Sequence, residues 1–269
     1  MFNSIIKKIY SNLRYFYHIL LWKYDSKKLR KEIENYLPKP KHSKLEGKIL
    51  ILAPHSDDEW IGGFSFIENN DCVILHMDMI GDNDDETRLI RFQETSNIAT
   101  RYGRKLIKCK SNKVEYLKSI INEIKPKYIA LPFLIDWHPE HLDTINMLCK
   151  AMNSYACHII MYQVSCPLPS IMVNYAIPLN RKEWVQKWAI FKDYYKTQKG
   201  FPWRRFALIE RAEGGYTNSY AANVYCVCDS DKWVKMLKNL PSGETIRELK
   251  SNLNHIYINK KFIDGLVFK

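Results

Sequence analysis

Between Gly47 and Cys228 short apolar runs alternate with segments of helical spacing, and this alternation restricts the fold more than any other feature of the chain. Residues 48–53 read as a buried strand. A helix begins at Glu59 and runs to Glu68, with Gly62-Gly63 permitting close approach to a sheet. Residues 72–79, 105–109, 128–132, 158–164 and 223–228 read as further strands. Residues 84–102, 114–124, 141–152, 181–198, 231–240 and 243–253 carry helical spacing. The first of these ends at Gly103, a favourable residue just past a helix. Strands and helices alternating at this spacing predict an α/β domain, a Rossmann-like and mostly parallel sheet with helices on both faces.

Two polar clusters interrupt the apolar pattern. His55-Ser56-Asp57-Asp58-Glu59 follows the first strand, and Asp136-Trp137-His138-Pro139-Glu140-His141 follows the strand at 128–132. In open α/β sheets ligands gather at the carboxyl ends of strands. If the two strands are neighbours, both clusters share one rim. A catalytic zinc takes three protein ligands and keeps one position for water, whose pKa it lowers toward neutrality. His55, Asp58 and His141 supply such a set, and histidine with carboxylate accepts Fe2+ as well as Zn2+. Asp57 is then free to accept a proton from water, and His138 to stabilise an oxyanion and protonate a leaving amine. Asp136 is placed to orient His138. Glu59 either caps the following helix or hydrogen-bonds a ligand, and Glu140 reads as a solvated helix-start residue.

These residues form a pattern that resembles the PIG-L/LmbE-like zinc N-deacetylases, which remove acetyl groups from amino sugars. The family's strand followed by His-Pro-Asp-Asp-Glu is matched by His55-Ser56-Asp57-Asp58-Glu59, and its His-x-Asp-His by His138-Pro139-Glu140-His141. The resemblance implies that His55, Asp58 and His141 are metal ligands, Asp57 the general base and His138 the electrophilic or acidic histidine. Arg91-Phe92-Gln93-Glu94 resembles an Arg-x-x-Glu of the family, which implies a substrate contact by Arg91; a surface ion pair is the alternative. Tyr195-Lys196-Thr197-Gln198 is similar to a late His-x-x-Gln, with tyrosine in place of histidine. The similarity covers roughly residues 47–228. Within it Ser56 replaces proline and is expected to loosen the loop. Tyr220-Ala221-Ala222-Asn223 lacks the family's glutamate. An acidic loop at 78–86 replaces a Thr-Asp-Gly turn, leaving Gly81-Asp82 as candidates for the sugar pocket.

Residues 1–46 stand apart as a basic, amphipathic N-terminal extension to the LmbE-like domain at 47–269. Residues 1–48 hold twelve Lys or Arg against four acidic residues, +8 of the chain's net +12. Such charge suits nucleic acid, anionic lipid or a phosphorylated substrate, but no nucleic-acid module accompanies it. Residues 1–24 are aromatic and interrupted by Lys and Arg, too polar to span a bilayer, which takes about 20 apolar residues. They are expected to pack on the protein's own core or a partner, or to lie in a membrane interface. The seven cysteines are odd in number and sit mostly in apolar runs, as expected of reduced thiols in a cytoplasmic protein, here with peripheral contact at the membrane inner face as an option.

The reading that follows is a metal-dependent N-deacetylase that hydrolyses the acetamide of an N-acetylated amino sugar, nucleotide- or lipid-linked. Trp60, Trp137 and Trp203 are candidates to stack on the sugar. The alternatives are a metal-dependent hydrolase of another acyl amide or ester, and a non-catalytic sugar-binding relative.

Overall fold

The computed structural model describes residues 2–79, 85–110, 113–152, 155–238 and 242–266; Gly81-Asp82 lie outside them. Strand β1 (Ile49–Ala53) is five consecutive buried residues. It joins β2 (Cys72–His76), β3 (Lys105–Lys108), β4 (Tyr128–Pro132), β5 (His158–Tyr162), β6 (Tyr175–Leu179) and β7 (Ala221–Asp229) in one sheet of order β3-β2-β1-β4-β5-β7-β6. The first five of these are mutually parallel. β7 runs antiparallel to both β5 and β6.

Because side chains alternate along a strand, β1 feeds two cores. Leu50 and Leu52 pack with Leu117 and Ile121 of α5 (Lys113–Ile124) and Ile145 and Leu148 of α6 (Pro139–Met152). Ile49 and Ile51 pack on the other face with Trp60 of α2 (Asp58–Ile61), Phe64 of α3 (Phe64–Asn69), Ile98 of α4 (Asp85–Arg101) and Trp188 of α7 (Arg181–Tyr194). The sheet is thus covered by helices on both sides, as its uninterrupted apolar strands require.

The single helix expected at 59–68 is split at Gly62-Gly63. A Cβ on Gly62 would stand 2.0 Å from Tyr162 Cδ2, so glycine is what lets this turn rest on β5. The helix expected at 181–198 stops at Tyr194, and Tyr195 turns out of it at φ −93°, ψ 68°. Three further elements have no counterpart in the sequence reading: β6, α8 (Trp203–Glu213) and α11 (Ile256–Gly265). β6 carries Pro178 and lies at the sheet edge, where a missing N–H is tolerated.

Helix α1 (Phe2–Glu34) is continuous through the basic N-terminal segment. Trp22, Leu29 and Ile33 bury themselves against the core. Ser26 donates to the Leu208 carbonyl of α8, and the Arg30 guanidinium donates to the carbonyls of Arg211, Ser219 and Tyr220. After α9 (Ser230–Leu237) come α10 (Gly243–Ser251) and α11, and Trp22 Nε1 donates to the carbonyl of Asn254 between these last two. The second half of α1 is therefore tied to α8 and to the segment between α10 and α11. No helix among the described residues is long and apolar enough to cross a membrane.

Candidate metal centre

β1 has β2 on one side and β4 on the other, so the chain order reverses at β1 and a crevice opens beyond the carboxyl ends of β1 and β4. Ile49 pairs with Tyr128 and Ile51 with Ala130, which brings the polar segments after Ala53 and Pro132 to one rim. There Asp58 Oδ2 lies 3.2 Å from His55 Nδ1 and 3.3 Å from His141 Nε2, and the two ring nitrogens are 3.2 Å apart. Two ligands of a tetrahedral zinc, each ~2.0–2.1 Å from the ion, are about 3.3 Å from one another. The triangle of donor atoms thus has the dimensions of three zinc ligands. The nitrogens of His55, His138 and His141 also cluster, all within 4.8 Å of one another, so His138 is a further candidate to hold an ion.

Supporting carboxylates orient this triangle. Asp136 Oδ2 accepts from His141 Nδ1 at 2.8 Å, which leaves Nε2 with its lone pair toward Asp58 and His55. Asp136 Oδ1 accepts from the backbone N–H of His138 at 2.8 Å. Asp136 was expected to orient the His138 ring; its ring partner is instead His141, because the first turn of α6 carries that ring back over the loop. The His138 ring meets Glu140, whose Oε2 lies 2.6 Å from Nδ1. Glu140 is therefore a ring partner rather than a solvated helix-start residue.

Asp57 adopts φ 111°, a left-handed backbone that is costly for any residue but glycine. Two contacts hold it there. Its carbonyl accepts from Trp60 and Ile61 in the first turn of α2, and its N–H donates to Glu59 Oε2 at 3.1 Å. Glu59 Oε1 in turn accepts from the Tyr195 hydroxyl at 2.7 Å, a contact that depends on α7 ending one residue earlier. Glu59 thus supports the loop rather than facing solvent. Ser56, expected to loosen this loop, is fully buried and its hydroxyl accepts from Thr95 of α4 at 3.0 Å, so it ties the loop down.

The electrostatics follow from burial. Burial and the Asp58 carboxylate raise Asp57 well above the ordinary carboxylate value, against the pull of Arg91. Burial pushes Glu59 up to about 7, opposed by the Tyr195 hydrogen bond. Burial acts against the charge of Asp58, but His141 and His55 outweigh it and hold Asp58 well below the usual range. His141 is likewise penalised by burial yet raised well above an ordinary histidine by Asp136 and Asp58. His138 is lowered by burial and by the neighbouring His141 and His55.

A cavity of about 600 Å³ opens over these residues. Its floor includes His55, Asp57, Asp58, His138 and His141, and Arg91 lines it. Trp137 also lines it, whereas Trp60 is fully buried with its Nε1 on the Lys187 carbonyl, and Trp203 stacks on Trp188. Trp60 is therefore a core residue and not a sugar platform: it follows Glu59 in sequence but projects from α2 into the opposite core. Residues the sequence reading passed over complete the walls, among them Trp22, Phe201, Arg205 and Lys250. Asn223 is buried in the core, accepting from Ser65 and donating to Glu210.

The chain matches no protein-family model and no curated protein. Among solved structures, the zinc-inhibited form of teicoplanin deacetylase Orf2 aligns with 68% of this chain and 99% of its own, at TM-score 0.53 and 12% identity. The A40926 pseudoaglycone deacetylase Dbv21 aligns over 67% of this chain and 96% of its own, at TM-score 0.51 and 15% identity. The conserved protein TT1542 from Thermus thermophilus aligns over 67% and 94%, at TM-score 0.51 and 16% identity. At these identities the likeness is one of architecture: the chain shares the fold of these structures, a mostly parallel sheet with helices on both faces.

Proposed function

We propose that the chain is a metal-dependent N-deacetylase that hydrolyses the acetamide of an N-acetylated amino sugar to the free amine and acetate. The observation that carries this reading is the triangle of His55, Asp58 and His141 donor atoms, 3.2–3.3 Å on each side, with Asp57 and His138 beside it in one cavity. His55, Asp58 and His141 would hold Zn2+, with Fe2+ as the alternative. A bound divalent ion supplies Lewis-acid polarisation of the acyl carbonyl and acidification of water. Asp57 accepts the proton of the attacking water, and its burial suits it to hold that proton. As the C–N bond breaks, His138 at the cavity wall, in its imidazolium form, donates a proton to the departing nitrogen; Glu140 beside its Nδ1 favours that form against the pull of burial. Arg91 contacts the substrate from the same wall.

The test is acetate release from N-acetylated sugars, free, nucleotide-linked and lipid-linked, with and without added zinc. Asp57→Asn should lower kcat by roughly 10²–10⁴-fold while retaining stoichiometric zinc, and His141→Ala should lose the zinc. If no sugar yields acetate, or if Asp57→Asn matches the wild type, the reading is wrong. Release of longer acyl groups or of ester-linked acyl groups alone would favour the alternative hydrolase.

For the N-terminal segment we propose docking on an anionic membrane surface. Ile9, Tyr10, Leu13, Phe16, Tyr17, Leu20 and Tyr24 are all exposed and fall on one side of α1, opposite the face that carries Trp22, Leu29 and Ile33. Exposed Lys23, Lys27, Lys28 and Lys31 continue the segment, a combination that suits the boundary between lipid headgroups and acyl chains. Co-sedimentation with phosphatidylglycerol vesicles, weakened in a Leu13→Ser/Phe16→Ser/Leu20→Ser variant, is expected. Equal sedimentation of variant and wild type would refute this contact.

A further inference from the structure

We infer that the cavity contains a subsite for an oxyanion carried by the substrate, built on Arg205. The inference takes from the deacetylase reading only the sugar to which the anion is attached.

Arg205 stands in the first turn of α8 and its side chain lines the cavity, yet the residue is only 3% exposed. Its Nε and Nη2 have no hydrogen-bond partner among the described residues, and no carboxylate among them lies within ion-pair distance. The other buried cations of this fold are matched. Lys187 meets Glu210 and the Ile61 carbonyl, and Lys260 meets Asp264 and the Leu168 carbonyl. Among the described residues, Arg205 alone of these three opens on a cavity, and it alone lacks a counter-charge. Burial lowers it only to about 10, so it remains a cation at neutral pH.

A buried charge without a partner is strongly unfavourable. The cavity is where the partner can come from. Of the carboxylates that line the same cavity, Asp58 meets His55 and His141, Glu140 meets His138, and Asp57 is under the influence of Arg91; none of them pairs with Arg205. Arg91, whose Nε also lacks a hydrogen-bond partner, adds a second cation to the walls. The guanidinium lies over the Phe206 ring, 5.2 Å from its centre, and Phe206 stacks on Phe201. This apolar backing leaves the planar fork to be met from the cavity side. Its geometry fits two oxygens of one phosphate or carboxylate. The substrate class is accordingly an N-acetyl amino sugar bearing phosphate or carboxylate, rather than a neutral one.

The experiment compares N-acetylglucosamine, N-acetylglucosamine 1-phosphate and N-acetylglucosaminuronic acid on the zinc-loaded protein. The wild type should favour one of the two anionic sugars over the neutral one by at least about tenfold in kcat/KM. The choice between them identifies the anion. In Arg205→Met, which keeps the volume and removes the charge, that ratio should fall to within about twofold of unity. Without ligand, Arg205→Met should melt at the same temperature as the wild type or higher, because an unpaired buried charge has been removed. Inorganic phosphate or an anionic sugar should raise the Tm of the wild type but not of the variant.

No preference in the wild type, or a preference and a Tm response that survive in Arg205→Met, would overturn the subsite. If no sugar is deacetylated the deacetylase reading falls, and the Tm response to N-acetylglucosamine 1-phosphate then decides the subsite alone. If Arg205→Met does not fold, Arg205→Lys carries the test: a loss of at least about threefold in preference upholds the two-pronged contact, and an unchanged ratio overturns it.

Discussion

Replacing Asp136 by asparagine tests the site through a residue that touches neither metal nor substrate. The wild-type carboxylate accepts two N–H groups, His141 Nδ1 at 2.8 Å on one oxygen and the His138 backbone at 2.8 Å on the other. An asparagine amide offers one oxygen and one NH2, so it can accept from one of these donors and must face the other with its own hydrogens. If the oxygen turns to His138, His141 avoids the clash by moving its proton to Nε2, the nitrogen that faces Asp58 and His55. That nitrogen then loses the lone pair a metal needs. If the oxygen turns to His141, the tautomer survives but the loop before α6 loses its backbone tie and the ring loses a charged acceptor. Either way the loss of a supporting carboxylate weakens a metal site about 10–100-fold, equivalent to roughly 1.4–2.7 kcal/mol. Competition for zinc against a chelator of known affinity measures it directly. At saturating zinc the variant should recover most of its kcat, because Asp57 and His138 are untouched. Zinc affinity within about threefold of the wild type would refute the argument, and with it the assignment of His141 Nε2 as a ligand.

Two further outcomes follow from buried groups away from the centre. His76, at the end of β2, is wholly buried with neither ring nitrogen hydrogen-bonded among the described residues, and burial lowers it from 6.5 to about 4. The folded protein keeps this ring neutral while the unfolded chain protonates it, so its contribution is complete above about pH 6.5 and is lost as the pH falls toward 4. By pH 5 the loss is about 2 kcal/mol, and urea unfolding of His76→Leu at pH 7.5 and 5.0 should show a correspondingly smaller decline. An identical decline would show that His76 is not the cause. Glu210→Gln removes the charge that meets Lys187 beneath α2 and should cost roughly 3–5 kcal/mol, largely restored by adding Lys187→Met. A cost of under 1 kcal/mol would mean that Lys187 is not held as an ion pair.

The sequence discloses the parallel half of the sheet well, because strands buried on both faces must be apolar throughout, as Ile49–Ala53 and Tyr128–Pro132 are. It discloses the two polar clusters because they end those runs abruptly. What it does not contain is which strands lie side by side; the shared rim depends on β1 pairing with β4. β6 escapes notice because Pro178 breaks the strand pattern at an edge where the fold tolerates it. Trp60 misleads because neighbours in a helical turn point in different directions, so adjacency to Glu59 says nothing of which core receives the indole. Asp136 misleads for the same reason in reverse: the ring it holds is five residues away. Arg205 is illegible from sequence, since an arginine in an amphipathic helix is ordinarily a surface residue and only burial beside a cavity distinguishes it.

The hydrogen bond from Trp22 to Asn254 has an implication for how such a cavity changes. Its floor comes from residues 55–141, on loops between central strands, while part of its rim comes from positions 232 residues apart near opposite ends of the chain. The floor can therefore stay fixed while the rim is rebuilt, because substitutions in α1 or around α10 reach what enters without disturbing the atoms that would bind metal. This part of the rim is also joined over a separation of 232 residues, a long loop to close in chain-entropy terms. On the proposed reading, the catalytic groups and this part of the entrance lie on different stretches of one polypeptide, so the entrance can change without a change in the groups that cleave the substrate.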